Sequence, residues 1–323
     1  MEPLTVDFWN VGQGDAISIV RADGSWDIID VGPASDSQLA HYLIQQRSVV
    51  IQNLILTHND NDHIGALTAI LEMEQVTIDK VLFLQDSHNP ETIPLEKILQ
   101  KAKDVERLEI PAHQKFQVLD SLDANYRLVL KHPDFKSNQK ANIRGQANET
   151  SAIICLQYFH QQEEANEDDA NWRDMAIWAA DNRISIVVGR CDSNVSLLTG
   201  PHHGAPQDIH GKVFQENISR LHPRQVVLSF GRMNGYHHPN GNYIKMLTNE
   251  GTDVKCLQCA RKCCPDERRE PVFCGDGLYG MFSPDFNACH GHIRMKVQSD
   301  NLIDLAEDAY RVAKLKLTRR LCC

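Results

Sequence analysis

The stretch Leu54-Ile55-Leu56-Thr57-His58-Asn59-Asp60-Asn61-Asp62-His63 decides how this chain of 323 residues is interpreted. Its apolar start has the composition of a buried β-strand, and residues 64–73 after it have the spacing of a helix. The junction carries four metal-ligating side chains within six residues, namely His58, Asp60, Asp62 and His63. The first two can hold one divalent ion and the last two a second one nearby. A polar turn with a helix cap needs only one such residue, so we favour a two-metal site, which suits hydrolysis of phosphate esters.

The composition argues for a large core and against two classes of protein. Hydrophobic residues make up 42% of the chain, and 33 Lys and Arg against 43 Asp and Glu give a formal charge of −10. A general nucleic-acid coat needs a surplus of Lys and Arg to neutralise phosphates. No run approaches the ~20 apolar residues of a membrane span, and the N-terminus lacks the pattern of a signal peptide. We therefore expect a cytoplasmic protein with no membrane partner, carrying a solvated acidic insertion at residues 161–169.

Strands outnumber helices in the hydrophobic pattern, and helices recur between them. The pattern predicts helices at residues 64–73 and 301–317. It predicts strands at residues 4–11, 16–21, 26–31, 49–57, 81–84, 126–130, 151–159, 175–180, 184–188, 195–199 and 226–230. This order favours an α/β layered fold with mixed sheets.

Several motifs resemble one family. The pattern from His58 to His63 resembles the His-x-[His/Asp]-x-Asp-His signature of the metallo-β-lactamase fold. The version with Asp in the third place is similar to the hydrolase domain of the DNA-uptake competence protein ComEC and its stand-alone relatives. Further motifs of that group match Asn10-Val11-Gly12-Gln13-Gly14-Asp15-Ala16, Ile28-Ile29-Asp30-Val31-Gly32, His202-His203-Gly204 and His238-Pro239. The resemblance implies an αββα sandwich of two mixed sheets flanked by helices over residues 1–250. Residues 251–323 would add a Cys-rich strand segment with a C-terminal helix packed on it.

The resemblance also implies a set of ligands for two divalent ions: His58, Asp60, Asp62, His63, Asp181 and His202. The family expects a bridging Asp at a strand end, and Asp181 and Asp192 both compete for that place. We favour Asp181 because too few residues separate Asp192 from His202 for a crossover connection. The usual Gly-Asp pair is absent at both places, so the bridging ligand stays open.

The family's middle His has no counterpart, and Asn148-Glu149-Thr150-Ser151 occupies that stretch. Replacing imidazoles by oxygen ligands makes the set harder. We therefore expect Mn²⁺, with Zn²⁺ or Mg²⁺ as alternatives.

These residues predict in-line attack of metal-activated hydroxide on phosphorus. Asp62 would hold the water and act as base, while His238 or His203 would stabilise or protonate the departing oxygen. Asp15 and Asp30 would orient loops or ligating histidines.

The function predicted in this way is a metal-dependent phosphodiesterase, a nuclease with DNA as substrate. Resemblance to stand-alone relatives implies an effector of bacterial antiphage defence, with a regulatory protein partner encoded nearby. Two alternatives stay open: a small-molecule or cyclic-nucleotide hydrolase on the same site, and a catalytically idle scaffold with the same fold.

The ten cysteines are unevenly placed, with six between Cys256 and Cys289. Cys-x-x-Cys spacing with later cysteines predicts a structural zinc site formed by Cys256, Cys259, Cys274 and Cys289. The alternative is a set of reduced, partly buried cysteines on strands. Cys155 and Cys191 stand alone in apolar sequence and are expected to be buried small hydrophobes.

Overall fold

The computed structural model describes residues 3–34, 37–84, 93–111, 113–134, 136–137, 147–160, 171–205, 212–231, 234–258 and 292–305. The acidic insertion at residues 161–169, three of the four proposed zinc ligands (Cys259, Cys274 and Cys289) and the tail from residue 306 lie outside these ranges. Among the helices within these ranges, none combines the length and the apolar character needed to cross a bilayer.

Fifteen strands and seven α-helices are present in these ranges. The strands are β1 (Thr5–Phe8), β2 (Ala16–Val20), β3 (Trp26–Val31), β4 (Val49–Leu56), β5 (Val76–Phe83), β6 (Ala102–Arg107), β7 (Gln117–Ser121), β8 (Tyr126–His132), β9 (Ile153–Phe159), β10 (Trp172–Trp178), β11 (Leu197–Thr199), β12 (Gln225–Leu228), β13 (Asp253–Cys256), β14 (Ile293–Gln298) and β15 (Asn301–Asp304). The helices are α1 (Gln38–Gln45), α2 (Asn61–Ile64), α3 (Leu67–Leu71), α4 (Leu95–Lys101), α5 (Ile184–Arg190), α6 (Lys212–Leu221) and α7 (Gly241–Asn249).

The strands form two mixed sheets. The first has the order β15-β14-β1-β2-β3-β4-β5-β6, and the second β13-β12-β11-β10-β9-β8-β7. From β3 to β6, and from β10 to β13, neighbouring strands are parallel, while the other pairs are antiparallel. β14 and β15 extend the first sheet beyond β1, and β13 ends the second, so strands from residues 251–323 belong to both sheets.

Three hydrophobic clusters show how the layers pack. One fills the space between the sheets and includes Phe8, Leu128 and Trp178. A second joins the first sheet to α1, α3 and α4, and a third joins the second sheet to α5, α6 and α7. Alternate residues of a strand point to opposite faces, so Leu128 enters the inner cluster while its neighbour Val129 enters the outer one. This confirms the predicted α/β fold of two mixed sheets flanked by helices.

Three local predictions were wrong. Residues 184–188 were expected to be a strand but lie in α5, which buries Ile184 and Val187 on one face. Parallel neighbours such as β10 and β11 need a crossover, and α5 provides it although its residues are β-branched. The single helix expected at residues 64–73 is divided into α2 and α3 around Gly65-Ala66. Residues Asn301–Asp304, expected to begin a helix, pair with β14 as a strand. A stretch of four residues is too short for its hydrophobic pattern to distinguish a helix from a strand. Pairing with β14 therefore determines that these residues form a strand.

Candidate metal centre

The candidate ligands meet at one edge of the sandwich, where several strands end. His58 follows β4, Asp181 follows β10, and His202 and His203 follow β11. β10 and β11 are parallel neighbours, so their carboxyl ends lie at the same edge of the second sheet. Asp60 precedes α2, which carries Asp62 and His63. The chain therefore delivers seven His and Asp side chains from three strand ends to one place.

The two carboxylate oxygens of Asp181 face two different groups of these side chains. Its Oδ1 lies 3.3 Å from Nε2 of His63 and 3.3 Å from Nε2 of His203. Its Oδ2 lies 3.5 Å from Nε2 of His58 and 3.6 Å from Nε2 of His202. Only 4% of the Asp181 side chain is exposed, so its oxygens face these imidazoles and not solvent.

Each side of Asp181 has a further carboxylate. On the Oδ2 side, Asp60 Oδ2 lies 3.6 Å from His58 Nε2. On the Oδ1 side, Asp62 Oδ2 lies 3.5 Å from His203 Nε2. Two compact groups of ligand-type atoms result, one of His58, Asp60 and Asp181 and one of Asp62, His63 and His203.

The donor set fits a pair of divalent ions. His58 Nε2 and Asp181 Oδ1 are buried and make no hydrogen bond with any of the described residues. Buried polar atoms of this kind normally have a partner, so their clustering indicates a ligand. Imidazole nitrogens with several carboxylate oxygens suit Zn²⁺ or Mn²⁺. The ligand roles of the individual residues stay predictions.

The buried charges hold one another in their ionised forms. Burial raises the pKa of Asp181, but the neighbouring imidazoles of His203, His63 and His58 lower it well below its usual range. Burial lowers the pKa of His63, and the carboxylates of Asp30 and Asp181 raise it well above the usual value. For His58, burial and the charge of His63 lower the pKa, whereas Asp181 and Asp60 raise it to about 9 overall. Without a metal, the buried carboxylates and imidazoles of the centre thus stabilise one another's opposite charges.

Asp30 and Thr57 fix the imidazoles from behind. Asp30 Oδ2 lies 2.7 Å from His63 Nδ1, and its carboxylate accepts hydrogen bonds from the Thr57 backbone N–H (2.8 Å) and hydroxyl (2.6 Å). Thr57 Oγ1 in turn lies 3.0 Å from His58 Nδ1. With Nδ1 engaged in this way, each ring directs its Nε2 toward Asp181. The sequence indicated Asp30 but gave no signal for Thr57.

The backbone around the centre is strained. Asp30, Ala180, His202 and His203 all have positive φ, between 45° and 56°. A residue with a Cβ pays roughly 1–2 kcal/mol for this left-handed conformation, and such residues concentrate at functional sites. In the turn Pro201–Gly204 the conformation brings both imidazoles of the adjacent pair to Asp181. The sequence singled out only His202 as a ligand and treated His203 as a proton donor. The structure places His203 as close to Asp181 as His63 is.

Gly14 explains why the loop between β1 and β2 needs glycine. Its φ is +125°, and a Cβ there would lie 1.8 Å from the carbonyl oxygen of Asp62. The Gly14 carbonyl accepts a hydrogen bond from the hydroxyl of Ser229, which follows β12 of the second sheet. Asp15, next in the chain, is buried with its Oδ1 3.8 Å from His203 Nδ1, and burial raises its pKa. The loop thus supports α2 and His203 together.

His238 stands at the margin of the centre. Its ring lies 5.8 Å from that of His202 and stacks on Tyr236 at 5.7 Å between centroids. Burial and the nearby charges of His203 and His202 lower its pKa to about 4. Its backbone N–H donates to Asn234 Oδ1 at 2.8 Å, which fixes the loop. His238 therefore lies beside His202, one of the candidate ligands, at the edge of the centre.

Two sequence candidates lie elsewhere. The Asp192 carboxylate accepts a hydrogen bond from the Asp174 backbone N–H at 3.0 Å, on the outer face of the second sheet. In the stretch expected to replace the middle His, Ser151 accepts hydrogen bonds from Asn182 through its carbonyl (2.6 Å) and hydroxyl (2.9 Å). This pair anchors the chain next to Asp181 and does not form part of either ligand group.

Of the four predicted ligands of the structural zinc site, only Cys256 lies within the described residues. Cys256 ends β13 and is buried in the outer cluster of the second sheet, and its three proposed partners lie outside the described residues. Cys155 and Cys191 were expected to be buried small hydrophobes; Cys155 is buried, Cys191 is partly exposed, and their Sγ atoms lie 3.7 Å apart.

Comparison with known proteins finds that part of the chain is similar to one superfamily. Residues 9–113 match the sequence profile of the Metallo-beta-lactamase superfamily. ComE operon protein 3 of Bacillus subtilis (strain 168) is 23% identical over 267 residues, covering 77% of this chain and 31% of that protein. The chain thus spans about a third of that relative's length.

Two solved structures resemble this chain over most of its length. The metallo-β-lactamase fold protein YhfI of Bacillus subtilis is 12% identical, covering 79% of this chain and 96% of that one with a TM-score of 0.42. A variant of CmlA beta-hydroxylase is 13% identical, covering 80% of this chain and 53% of that one with a TM-score of 0.45.

Proposed function

We propose that the chain, whose residues 9–113 match the metallo-β-lactamase superfamily profile, is a metal-dependent phosphodiesterase that acts as a DNA nuclease. One observation carries this proposal. Asp181 presents one oxygen to His63 and His203 and the other to His58 and His202, so a single carboxylate is shared by two ligand groups. Sites of two divalent ions in hydrolases of phosphate esters are built around shared ligands of this type.

The residues of each group have distinct roles in the proposal. His58, Asp60, Asp181 and His202 would hold one ion, and Asp62, His63, His203 and Asp181 the other. His202 supplies the first group with the imidazole that the absent middle His would otherwise provide. When bound, the two ions would activate water and stabilise the charge of the phosphate. Asp62 is the more exposed carboxylate of its group and has a lowered pKa, because His203 and His63 outweigh the effect of burial. It is therefore ionised at neutral pH and can accept a hydrogen bond that orients the attacking water, and the proposal assigns it the role of base.

DNA is the proposed substrate because the motifs around the site resemble the hydrolase domain of the competence protein of DNA uptake. The net charge of −10 does not oppose this, since two divalent ions would make the centre locally positive. His238 has a pKa lowered to about 4 and is neutral at physiological pH. It would position the departing oxygen through a hydrogen bond, and His203 would be occupied as a ligand. Among the metals, Mn²⁺ is preferred because carboxylates replace imidazoles, with Zn²⁺ and Mg²⁺ as alternatives.

Plasmid and oligonucleotide digestion tests the proposal. The wild type is assayed with Mn²⁺, Mg²⁺ or Zn²⁺ beside the double variant Asp62→Ala, His63→Ala. A control double variant, Asp300→Ala with His222→Ala, changes the same residue types at exposed positions. We expect metal-dependent cleavage by the wild type and the control and none by the first variant. Nuclease activity that survives in that variant contradicts the proposed centre.

A parallel assay with cyclic nucleotides separates the rival substrates. Hydrolysis of cyclic nucleotides without cleavage of DNA would replace the nuclease by a small-molecule phosphodiesterase. Bound metal without hydrolysis of any ester would leave a scaffold.

The proposal extends to biology through the resemblance to stand-alone relatives. The chain would act as an effector of antiphage defence, restrained by a protein partner encoded nearby. Phage plating on cells carrying the wild type or the Asp62→Ala, His63→Ala variant tests this extension. Equal plaque counts on the two strains would contradict it.

A further inference from the structure

A positively charged groove lies on the outer face of the second sheet. Arg127 and Lys131 of β8 share this face with Val129, because alternate residues of a strand point the same way. Helices α5, α6 and α7 pack against the same face, and Arg190 at the end of α5 forms one wall. Among the eleven described residues that line it, five are Lys or Arg and one is Asp. None of these eleven residues belongs to the candidate metal centre.

The cations on the floor of this groove are held in place. Arg127 is 7% exposed and Lys131 8%. Arg127 Nε donates to Gln157 Oε1 at 2.9 Å, Gln157 Nε2 donates to Asp174 Oδ1 at 2.7 Å, and Lys131 Nζ lies 3.1 Å from the same oxygen. Burial opposes the charge of Lys131, but Asp174 raises its pKa above the usual value, so the ammonium group persists. The floor is a preformed arrangement of fixed positive charges, which costs little entropy when an anion binds.

Aromatic rings line the same groove. The Arg127 guanidinium lies 4.4 Å from the ring centroid of Trp172 and 5.1 Å from that of Phe116, and Lys131 Nζ lies 5.4 Å from the Phe116 centroid. Both rings are partly exposed. A ligand that reaches the two cations therefore meets flat apolar surface beside them, which suits a planar base.

Lys and Arg outnumber carboxylates among the described residues that line the groove. The carboxylate of Asp174 contacts the ammonium group of Lys131, and Asp134 lies 2.5 Å from Arg190. Lys115 and Arg173 at the rim add two further positive charges. The described lining carries five Lys or Arg side chains and one carboxylate, that of Asp192, in a chain whose net charge is −10. This local excess of positive charge favours an anionic ligand.

We propose that this groove binds a phosphate ester of nucleotide size, with the phosphate on Arg127, Lys131 and Lys115 and the base against Trp172 and Phe116. The groove has a volume of about 750 Å³, within the range of pockets that hold small ligands. Guanidinium and ammonium groups together form charge-assisted hydrogen bonds to phosphate oxygens. The site does not depend on the proposed nuclease activity, since it shares no residue with that centre.

Calorimetric titration of the 323-residue chain with AMP, in the presence of a chelator, tests the proposal. Adenosine and inorganic phosphate are titrated separately, and a short single-stranded oligonucleotide forms a fourth arm. We expect AMP to bind, and adenosine and phosphate each to bind at least about tenfold more weakly because each lacks half of the contacts. Lys115→Glu at the exposed rim should weaken AMP binding by at least about tenfold. Lys245→Glu, an exposed lysine on α7, is the matched control and should bind as the wild type does.

Two further variants keep the result interpretable. Lys131→Met changes the floor and should weaken binding by a similar factor, with thermal unfolding used to verify that the variant is folded. Asp181→Asn alters only the metal centre and should leave AMP binding unchanged, so failure of the proposed nuclease would not affect this result. Any one of three outcomes overturns the proposal: no AMP binding up to about 5 mM, equal affinity for phosphate and AMP, or binding of the oligonucleotide alone. Binding that is lost in Asp181→Asn and kept in Lys115→Glu would also overturn it, because it would place AMP at the metal centre.

Discussion

The candidate metal centre and the cationic groove both bury charged side chains, but they satisfy them differently. In the metal centre, His58 Nε2 and Asp181 Oδ1 make no hydrogen bond with any described residue, and four residues carry left-handed backbone. In the groove, Asp174 contacts Lys131, Gln157 and the Asp192 backbone, so its carboxylate is fully used by the protein. The metal centre therefore has buried ligand-type atoms that need a partner from outside the described chain, such as a metal ion. The groove pairs its buried Lys131 with a carboxylate of the chain itself and adds Lys115 and Arg173 to its lining.

The largest effect predicted by this comparison concerns the two aspartates that compete as bridging ligand. Asp181→Asn removes the charge shared by both ligand groups, whereas Asp192→Asn keeps an acceptor for the Asp174 N–H. We expect Asp181→Asn to reduce metal-dependent phosphodiesterase activity by roughly a thousandfold or more. Asp192→Asn should stay within about threefold of the wild type. Initial rates of hydrolysis at saturating metal measure both.

The same two variants test whether the metal centre and the groove are separate sites. Equal loss in both would mean that the groove and the metal centre are coupled and are not separate sites. Retained activity in Asp181→Asn would remove the shared carboxylate from the mechanism. Metal content measured on each purified variant distinguishes loss of metal from loss of chemistry.

In the groove, the corresponding change should act on folding. Asp174→Asn leaves the buried ammonium of Lys131 without its carboxylate, and breaking a buried pair in this way costs about 3–5 kcal/mol. We expect the free energy of unfolding in urea to fall by about that amount. The double variant Lys131→Met, Asp174→Asn removes both charges and should recover at least half of the loss. A double variant as unstable as Asp174→Asn would show that the hydrogen bonds of Asp174, and not its charge, stabilise the sheet.

The sequence predicted most of the fold because its periodicities are strong where the strands are long. β3, β4 and β9 were located to within about two residues of their bounds. It failed where tertiary pairing overrides local preference. The β-branched residues of α5 favour a strand, and only the parallel pairing of β10 with β11 requires a helix there.

The candidate site shows the same limit. The four ligand-type residues from His58 to His63 lie within six residues of one another, so the sequence pattern reveals them directly. Asp181 was favoured over Asp192 because chain length constrains a crossover, and its role as a ligand stays a prediction. The division of the adjacent His202 and His203 between the two oxygens of Asp181 depends on two left-handed residues, which no composition rule predicts for histidine. The groove was not predicted at all, because its cations come from separate strands and loops.

The smallest predicted effect concerns His132, which lies beside Lys131 at the end of β8. It is 3% exposed, and its Nε2 lies 2.8 Å from the Glu149 carbonyl oxygen. Burial lowers its pKa to about 4, whereas the carboxylates of the metal centre raise the pKa of His58 to about 9. The two buried imidazoles therefore differ because one has carboxylates in contact and the other a carbonyl.

This difference has a measurable consequence for stability. His132 stays neutral in the folded chain down to about pH 4, while in the unfolded chain it takes up a proton below about pH 6.5. The unfolded state thus binds more protons in this window, so stability falls as the pH drops from about 6.5 to about 4, by about 3 kcal/mol in total. His132→Gln keeps a donor for the Glu149 carbonyl and cannot titrate. Urea denaturation at several pH values should give the variant a flatter profile than the wild type in that window and a parallel one above pH 7. Parallel profiles throughout would mean that His132 is charged in the folded chain, and that burial alone does not set the charge state of an imidazole on this strand.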